Sequence, residues 1–120
     1  MDLTFTEEDR AFQTEVRDWI QANYSDDLRA RNDLSKNGYL AKEDMVAWQK
    51  KLHDRGWIAP NWPTEYGGAG FTPTQKYIFG MEMAAAGTPA TSPMGLSMVA
   101  PVIMAFGSEA QKQKHLPPIL

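Results

Sequence analysis

The segment that constrains this 120-residue chain most is residues 56–70, GWIAPNWPTEYGGAG. Gly56 can take the positive φ angle that ends a helix, and Pro60 and Pro63 hold the residue before each of them in extended geometry. Three aromatic side chains add large apolar surfaces that must pack against other groups: Trp57, Trp62 and Tyr66. We therefore predict a rigid, buried loop that connects two helices.

Length and charge restrict the kind of protein that this chain can form. A chain of 120 residues can bury roughly two thirds of its extended surface, which is enough for one helical domain over residues 1–120 and too little for two. The net charge is −3 and the Lys and Arg residues are scattered, so the basic stripe that nucleic acid requires is absent. We expect no nucleic-acid partner.

The chain contains no cysteine, which excludes disulfides, thiolate nucleophiles and cysteine-bound metals together. Such a composition suits a reducing compartment. The N-terminus, MDLTFTEED, is acidic where a secretory signal needs a positive start followed by an apolar run. We therefore predict a cytoplasmic protein.

Helix-start signals and apolar periodicity predict three helices in the first part of the chain. Thr6, followed by three acidic residues, starts a helix over Glu7–Asn23. A second helix is expected from about 42 to 56, and a third from 73 to about 86 because Thr72 precedes a proline. The side chains predicted to face inward are Phe12, Val16, Trp19 and Ile20 in the first helix, Met45, Trp48, Gln49 and Leu52 in the second, and Tyr77, Ile78, Met81, Ala84 and Ala85 in the third.

The third helix carries apolar residues around most of its circumference. Phe79 and Met83 extend its apolar face, which predicts that most of the helix is covered. Gly80 lies between them and permits close approach of another backbone. Residues 25–42, in contrast, are polar and show no apolar period, so we predict a long loop with at most one short helical turn.

Residues 83–108 contain no charged side chain, although 22% of the whole chain is charged. This predicts the most enclosed part of the molecule. Glycine and prolines interrupt the segment, and no run reaches the roughly 20 residues that a membrane span requires. We expect instead a buried helix over 94–106, kinked at Pro101 and ended by Gly107.

Ser108 and Gln111 form a capping-box pattern that opens a short, exposed last helix, which carries Lys112 and Lys114. Pro117 is expected to stop this helix. The chain ends in LPPIL, an apolar terminus, whereas chain termini usually lie solvated at the surface. We interpret the sequence as a chain that is cut before its next domain.

Candidate catalytic and metal-binding residues are few. His53 and His115, the only histidines, lie far apart without carboxylates at a metal-binding spacing, so we expect surface positions and no metal site. Ser92, Ser97 and Ser108 lack the preceding strand and sharp turn that expose a hydrolase nucleophile. A hydrolase triad is not supported.

Three features allow two interpretations each. Residues 67–70, GGAG, form either a weak phosphate cradle or a tight turn, and the lack of a preceding strand favours the turn. Glu82 is either a general base whose pKa is raised by burial, or a carboxylate that is hydrogen-bonded to backbone or points to a cleft, which is the commoner case. A set of apolar side chains either packs in the core, which explains them well, or lines a cavity for a long apolar ligand: Met94, Leu96, Met98, Val99, Val102 and Met104.

Two blocks of sequence resemble the N-terminal helical domain of the acyl-CoA dehydrogenases, and the likeness covers nearly the whole chain. The first block is Gly56-Trp57, Pro60, Trp62-Pro63, Glu65-Tyr66-Gly67-Gly68 and Gly70. The second is Phe106-Gly107-Ser108-Glu109, Gln111-Lys112 and Leu116-Pro117. Large subunits of bacterial heteromeric members such as pimeloyl-CoA dehydrogenase are similar in three shorter pieces, Met45-Val46 with Trp48, Tyr77-Ile78-Phe79 and Ser97-Met98-Val99.

This resemblance implies an all-α fold, an orthogonal bundle of five to six helices, in a flavoprotein of fatty acid metabolism. In this family FAD lies between a middle β domain and a C-terminal helical domain, both of which are absent from this chain. The reaction converts an acyl-CoA thioester to a trans-2-enoyl-CoA, with a catalytic base from the C-terminal region. The chain alone is therefore expected to be inactive and to hold no flavin, and the implied partners are acyl-CoA, the remaining domains and a homo- or heterotetramer.

By position, the resemblance assigns to this chain a wall of the acyl-tail cavity, formed by Met94, Gly95, Ser97 and Met98. It thereby strengthens the cavity interpretation of the methionines, and it makes residues 56–70 a structural loop beside the middle domain. A hypothesis of a different class is a freestanding helical interaction module without catalysis. That hypothesis predicts a stable monomer with little exposed apolar area.

Overall fold

Six α-helices and three short helical segments make up the computed structural model of the chain, which describes residues 4–120. The helices are α1, Glu7–Asn23; α2, Asp26–Asp33; α3, Lys42–Arg55; α4, Pro73–Ala85; α5, Ala100–Phe106; and α6, Glu109–Ile119. The short segments are the 3-10 turns Lys36–Gly38 and Thr64–Tyr66 and the π-helical segment Met94–Val99. Residues 4–120 contain no strand, and the predicted all-α class is confirmed. Residues 1–3, where the acidic N-terminus begins, lie outside the described part.

Side-chain caps set the starts of three helices that the sequence predicts. The Thr6 hydroxyl accepts the N–H of Asp9 at 3.1 Å, while the Asp9 carboxylate accepts the N–H of Thr6 at 3.0 Å. The same reciprocal arrangement starts α4 at Thr72 and α6 at Ser108. The predicted α1, α3 and α4 are confirmed, with bounds close to those expected.

Residues 25–42, predicted to be a long loop, contain helix α2, so that prediction is wrong. The Ser25 hydroxyl accepts the N–H of Leu28 at 3.2 Å, and Asp26 and Asp27 occupy the positive end of the helix dipole. The helix buries Leu28 and otherwise carries polar or exposed residues. Because it buries so little apolar surface, it shows no apolar period in the sequence, and its local signals were the cap and the two acidic residues of its first turn.

The prediction that the loop over residues 56–70 is buried is correct only in part, since residues 63–65 are exposed. Its side chains Trp57, Ile58 and Trp62 are all buried. Gly56 ends α3 with a φ of 80°, and Gly68 packs so closely against the carbonyl of Trp62 that a Cβ has no room. The glycines of this loop therefore serve a turn and a close contact, as their pattern indicates.

Helix α4 buries a narrower face than the sequence predicts. Its buried side chains are Ile78, Phe79 and Glu82, and its exposed ones include Tyr77, Ala84 and Ala85. The expectation that most of this helix is covered is therefore wrong. The role given to Gly80 is also wrong, since a Cβ added there would meet no atom within 4 Å. The inward face includes Glu82, whose hydrogen-bond partners lie on α1, and the apolar periodicity of α4 does not reveal these partners.

The uncharged segment 83–108 is not the most enclosed part of the structure, contrary to prediction. Its buried residues are Pro89, Leu96 and Ala100. The helix expected over 94–106 forms, but it is exposed on one side, and its distortion is a π-helical segment that precedes Pro101. The N–H of Ala100 bonds there to the carbonyl of Gly95, five residues back.

Helix α6 begins at the predicted cap but continues past Pro117 to Ile119, so the predicted stop is wrong. Pro117 and Pro118 keep a helical φ but have no N–H to donate, and the N–H of Leu120 still bonds to the carbonyl of Leu116 at 3.2 Å. The side chain of Ile119 lies against Gly95. Packing of the last turn thus holds the helix beyond the proline.

The chain divides into two compact units, each made of separate stretches. Unit 1 contains residues up to 45 and residues 71–89, and its α1 packs on α4. Rings of Phe12 and Phe71 lie 5.0 Å apart, and those of Phe71 and Phe79 lie 5.4 Å apart, in the core of this unit. Unit 2 contains residues 46–70 and 90–120, and its α5 packs on α6.

Candidate functional site

The four residues predicted to bind substrate lie together on the π-helical segment of unit 2: Met94, Gly95, Ser97 and Met98. Met94 and Met98 are 71% and 62% exposed. Gly95 is half-buried, and the Ile119 side chain lies so near that a Cβ added at Gly95 would come within 2.9 Å of it. The exposure of the two methionines argues against the interpretation that they pack in the core.

Exposed apolar side chains continue from this segment along α5. We call this set of side chains the apolar ridge. Its members are Met94, Met98, Val102 and Phe106, which are 71%, 62%, 56% and 86% exposed. These residues recur at every fourth position, so they lie on successive turns. Contiguous exposed apolar surface of this kind marks sites that bind a ligand or another protein surface. The apolar ridge is the strongest functional signal in the described structure.

Three contacts hold the backbone that carries the apolar ridge. Gln49 on α3 accepts the N–H of Ser92 through Oε1 at 2.9 Å. The indole Nε1 of Trp62 donates to the carbonyl of Leu96 at 2.7 Å. The third is the close approach of Gly95 to the end of α6. Three separate elements of unit 2 therefore fix this backbone.

A cleft of about 540 Å³ lies between the 56–70 loop and the 94–106 segment. Its walls include Trp62, Tyr66, Leu96, Ser97, Pro101 and Met104. Of the four predicted residues, Ser97 contributes to this cleft, whereas Met94, Gly95 and Met98 do not. The structure thus places Ser97 at the cleft and Met94 and Met98 on the apolar ridge, while Gly95 belongs to neither.

A groove of about 470 Å³ between α5 and α6 was not predicted from the sequence. Its walls include Val99, Val102, Ile103, Phe106 and His115. Since Val102 and Phe106 belong to the apolar ridge, this groove extends the ridge toward α6. His115 is exposed, as predicted. The sequence signal for this groove was the four-residue spacing of Val102 and Phe106. We interpreted these two side chains as buried because the segment around them carries no charge.

A third cleft, of about 470 Å³, lies between the Thr64–Tyr66 turn and α6. Lys112 on its wall forms an ion pair with Glu109, with Nζ and Oε1 3.1 Å apart, and this hydrogen bond raises the pKa of Lys112. The Lys112 side chain is only 16% exposed, so the prediction that it stands on an exposed face is wrong. Because Lys112 is already paired, it is not a free cation for an anionic ligand.

Glu82 is buried in unit 1 and bound by two side chains of α1. Gln13 Nε2 donates to Oε1 at 2.7 Å, and Arg17 Nε donates to Oε2 at 2.8 Å. The hydrogen bond from Arg17 lowers the pKa of Glu82 and outweighs the opposite effect of burial. The interpretation of Glu82 as a general base with a raised pKa is therefore wrong. Its partners are side chains rather than backbone, and they join α1 to α4.

Two glycines of the segment 67–70 donate their N–H groups to carbonyls within the loop. The N–H of Gly67 bonds to the carbonyl of Thr64 at 3.0 Å, and that of Gly68 bonds to the carbonyl of Pro63 at 3.1 Å. Gly67 and Gly70 have positive φ angles of 93° and 71°. Because these two amides are already bonded, the arrangement favours a tight turn over a phosphate cradle.

The remaining histidine and serine candidates do not form a catalytic or metal-binding group in the described residues. Across residues 4–120 no group of three or more metal-binding side chains comes together. His53 is exposed beside Asp54, with 3.5 Å between Nδ1 and Oδ1. Ser108 caps α6 through its hydroxyl. None of the helices in this part of the chain combines the length and the apolar character that a bilayer crossing would require.

Sequence comparisons connect the chain to one enzyme family. The sequence model described as "Acyl-CoA dehydrogenase, N-terminal domain" matches residues 6–120. Acyl-CoA dehydrogenase FadE29 of Mycobacterium tuberculosis is 33% identical over 120 residues, which cover 100% of this chain and 30% of that protein. Acyl-CoA dehydrogenase IpdE1 of the same organism is 31% identical over 111 residues, which cover 90% of this chain and 29% of that protein. The chain thus spans about 30% of the length of the curated relatives it matches.

Two solved structures share the fold. The ChsE4-ChsE5 complex from Mycobacterium tuberculosis superimposes with a TM-score of 0.74 at 30% identity, over 99% of this chain and 29% of that chain. The structure described as the Tcur3481-Tcur3483 steroid ACAD gives a TM-score of 0.79 at 29% identity, over 99% of this chain and 30% of that chain. Both likenesses extend over both units of the chain described above.

Proposed function

This chain belongs to the acyl-CoA dehydrogenase family by its N-terminal domain, and on that premise we propose that it binds the acyl tail in an enzyme that oxidises acyl-CoA to trans-2-enoyl-CoA. Residues 1–120 are then the N-terminal α domain, and a middle β domain and a C-terminal helical domain complete the enzyme. The observation that carries the proposal is the apolar ridge on the segment to which the resemblance assigns the cavity wall. We place Met94, Gly95, Ser97 and Met98 on that wall.

The chemistry of the apolar ridge suits an acyl tail. A hydrocarbon tail offers no hydrogen bonds, and it gains about 0.8 kcal/mol for each methylene that leaves water. Met94 and Met98 have flexible thioether side chains that adapt to irregular apolar shapes. The three backbone contacts described above keep their main chain fixed, so the side chains can adapt while the wall keeps its place.

We assign FAD, the electron acceptor of this reaction, to the other domains of the complete enzyme. The three clefts described above do not suit a dinucleotide, because Lys112, the cationic side chain on their walls, is already paired with Glu109. We place the catalytic base outside this chain as well. Purified residues 1–120 should show neither flavin absorbance nor enoyl-CoA formation, and stoichiometric flavin in this piece would contradict the assignment.

The relatives guide the proposal on partners. One similar structure is a complex of ChsE4 with ChsE5, and another is described as a steroid ACAD. We propose a homo- or heterotetrameric cytoplasmic enzyme that acts on an acyl-CoA with an apolar tail. A fatty tail and a steroid tail share the apolar character that the ridge requires.

The alternative of a freestanding interaction module is less well supported. It requires that little apolar area be exposed when no partner is bound. Met94 and Phe106 are instead 71% and 86% exposed. The apolar ridge therefore favours the enzyme domain.

The decisive experiment is Met98→Trp in the complete enzyme. A larger side chain on the cavity wall should reduce kcat/KM for long acyl-CoA substrates by about tenfold to a hundredfold and leave short ones nearly unchanged. The control is Tyr77→Trp, at a 63% exposed position in unit 1 that is not part of the apolar ridge. Equal losses for short and long substrates would remove Met98 from the wall.

A further inference from the structure

The hydrogen bonds around Pro101 leave one carbonyl without its expected backbone partner. In the π-helical segment the N–H of Ala100 bonds to the carbonyl of Gly95, five residues back. The next donor in this spacing would be residue 101, and its acceptor would be the carbonyl of Leu96. Residue 101 is a proline and has no N–H to donate.

Trp62 supplies the missing donor. Its Nε1 donates to the carbonyl of Leu96 at 2.7 Å, and both residues are buried. A buried carbonyl is costly to leave unpaired, because it has lost its hydrogen bonds with water. A tryptophan indole has one donor and no acceptor, so the pairing suits a lone carbonyl.

The loop that carries Trp62 is built to keep the indole in place. The N–H of Trp62 bonds to the carbonyl of Ala59 at 3.2 Å. Gly68 packs directly on the carbonyl of Trp62, where a side chain would not fit. The turn that follows is closed by the bond from Gly68 to Pro63 at 3.1 Å. The donor therefore reaches Leu96 from a backbone that is fixed on both sides.

We infer that Trp62 is a positioning residue, whose indole N–H replaces the amide that Pro101 lacks and so fixes the π-helical segment Met94–Val99. The pairing itself depends only on the hydrogen bonds of unit 2. Its consequence for substrate rests on the proposed function, because Met94–Val99 carries the proposed wall of the acyl-tail cavity. Trp62 touches no reacting atom in this role.

The test is a double-mutant cycle between Trp62→Phe and Pro101→Ala in the purified complete enzyme, read by hydrogen–deuterium exchange of peptides that cover residues 94–106. Trp62→Phe should speed exchange in these peptides by about tenfold, the factor expected when one hydrogen bond is lost. Pro101→Ala restores an amide that can reach the Leu96 carbonyl. In that background the effect of Trp62→Phe should largely disappear.

The matched control is Trp57→Phe, at a buried tryptophan of the same loop. This substitution removes the same volume but no bond to Leu96. Its effect on hydrogen–deuterium exchange should therefore be the same whether residue 101 is proline or alanine. If Trp62→Phe also has the same effect in both backgrounds, Trp62 acts by packing alone and the inference is overturned.

A second variant covers the case in which Trp62→Phe does not fold. Replacement of Trp62 by 3-benzothienylalanine keeps the ring shape and exchanges the N–H for sulfur. This variant should show faster exchange over residues 94–106, or a failure to fold. If Pro101→Ala reverses that effect, the inference is supported. If Pro101→Ala does not reverse it, the inference is overturned. These readouts need no substrate, so their failure is distinct from that of the proposed function, which Met98→Trp tests by chain length.

Discussion

Glu82 shows how the role of a single residue depends on partners that are distant in the sequence. Gln13 and Arg17, which bind its carboxylate, lie 69 and 65 positions away. Burial raises the pKa of an acidic residue on an apolar helix, whereas a nearby cation lowers it. The position of the nearest cation therefore decides the direction of the shift. The sequence could therefore single out Glu82, but it could not predict that its pKa is lowered.

The first prediction concerns Glu82→Gln and its pH dependence. Because the folded state lowers the pKa of Glu82, ionisation stabilises the fold above the unfolded-state pKa of about 4.3, and this contribution is lost as the pH falls below that value. At pH 7 the variant should melt about 5 °C below the wild type. The difference should shrink steadily below about pH 4. Calorimetry from pH 7 to pH 3 measures both melting curves.

The control for this prediction is Asp18→Asn, an exposed carboxylate on the same helix as Gln13 and Arg17. It should keep the pH dependence of the wild type, since it does not touch Glu82. A gap between wild type and Glu82→Gln that is as large at pH 3 as at pH 7 would show that the loss is due to packing rather than to charge.

At the scale of the elements, prediction succeeded where the signals are local. The Thr6 and Thr72 caps and the nearby apolar spacing predicted α1 and α4, because a helix start depends on residues a few positions apart. The π-helical segment was missed because its Leu96 carbonyl is bonded by Trp62, 34 positions away. The resemblance assigns the candidate site to residues 94–98, but it could not predict that Ser97 faces a cleft, because the opposite wall of that cleft is the 56–70 loop.

The second prediction is that Gly80→Ala stabilises the protein. Gly80 lies inside α4, and an added Cβ would meet no atom within 4 Å. Alanine costs less backbone entropy than glycine in a helix, so the free energy of unfolding should rise by about 0.5–1 kcal/mol. Urea unfolding of the purified protein measures this difference.

Gly68→Ala is the matched opposite of Gly80→Ala. A Cβ at position 68 would overlap the carbonyl of Trp62, so the loop would have to move, and the protein should lose stability. Loss of stability in Gly80→Ala would show that another surface approaches α4 closely at this glycine.

At the scale of the whole molecule, the absence of charge over residues 83–108 and the exposure of the apolar ridge must be explained together. A segment that carries no charge is suited to a surface that is shielded from water, yet Val102 and Phe106 are 56% and 86% exposed. The two facts agree if an acyl tail or another domain covers the ridge in the complete enzyme, as we propose. The prediction that this segment is buried in the core was wrong, because the absence of charge does not distinguish burial in the core from cover by a ligand or another domain.

The third prediction is that purified residues 1–120 bind a hydrophobic dye through the apolar ridge. Contiguous exposed apolar surface binds such dyes, whereas isolated exposed side chains do so weakly. The double substitution Val102→Lys and Phe106→Lys should therefore reduce dye fluorescence by about half or more, with helix content by circular dichroism unchanged. The matched control is Leu34→Lys with Tyr77→Lys, which removes two other apolar side chains, 82% and 63% exposed, in unit 1. If the control lowers the dye signal as much as the ridge variant does, the exposed apolar surface is not concentrated on the apolar ridge. That result would contradict the proposal that the ridge binds the acyl tail.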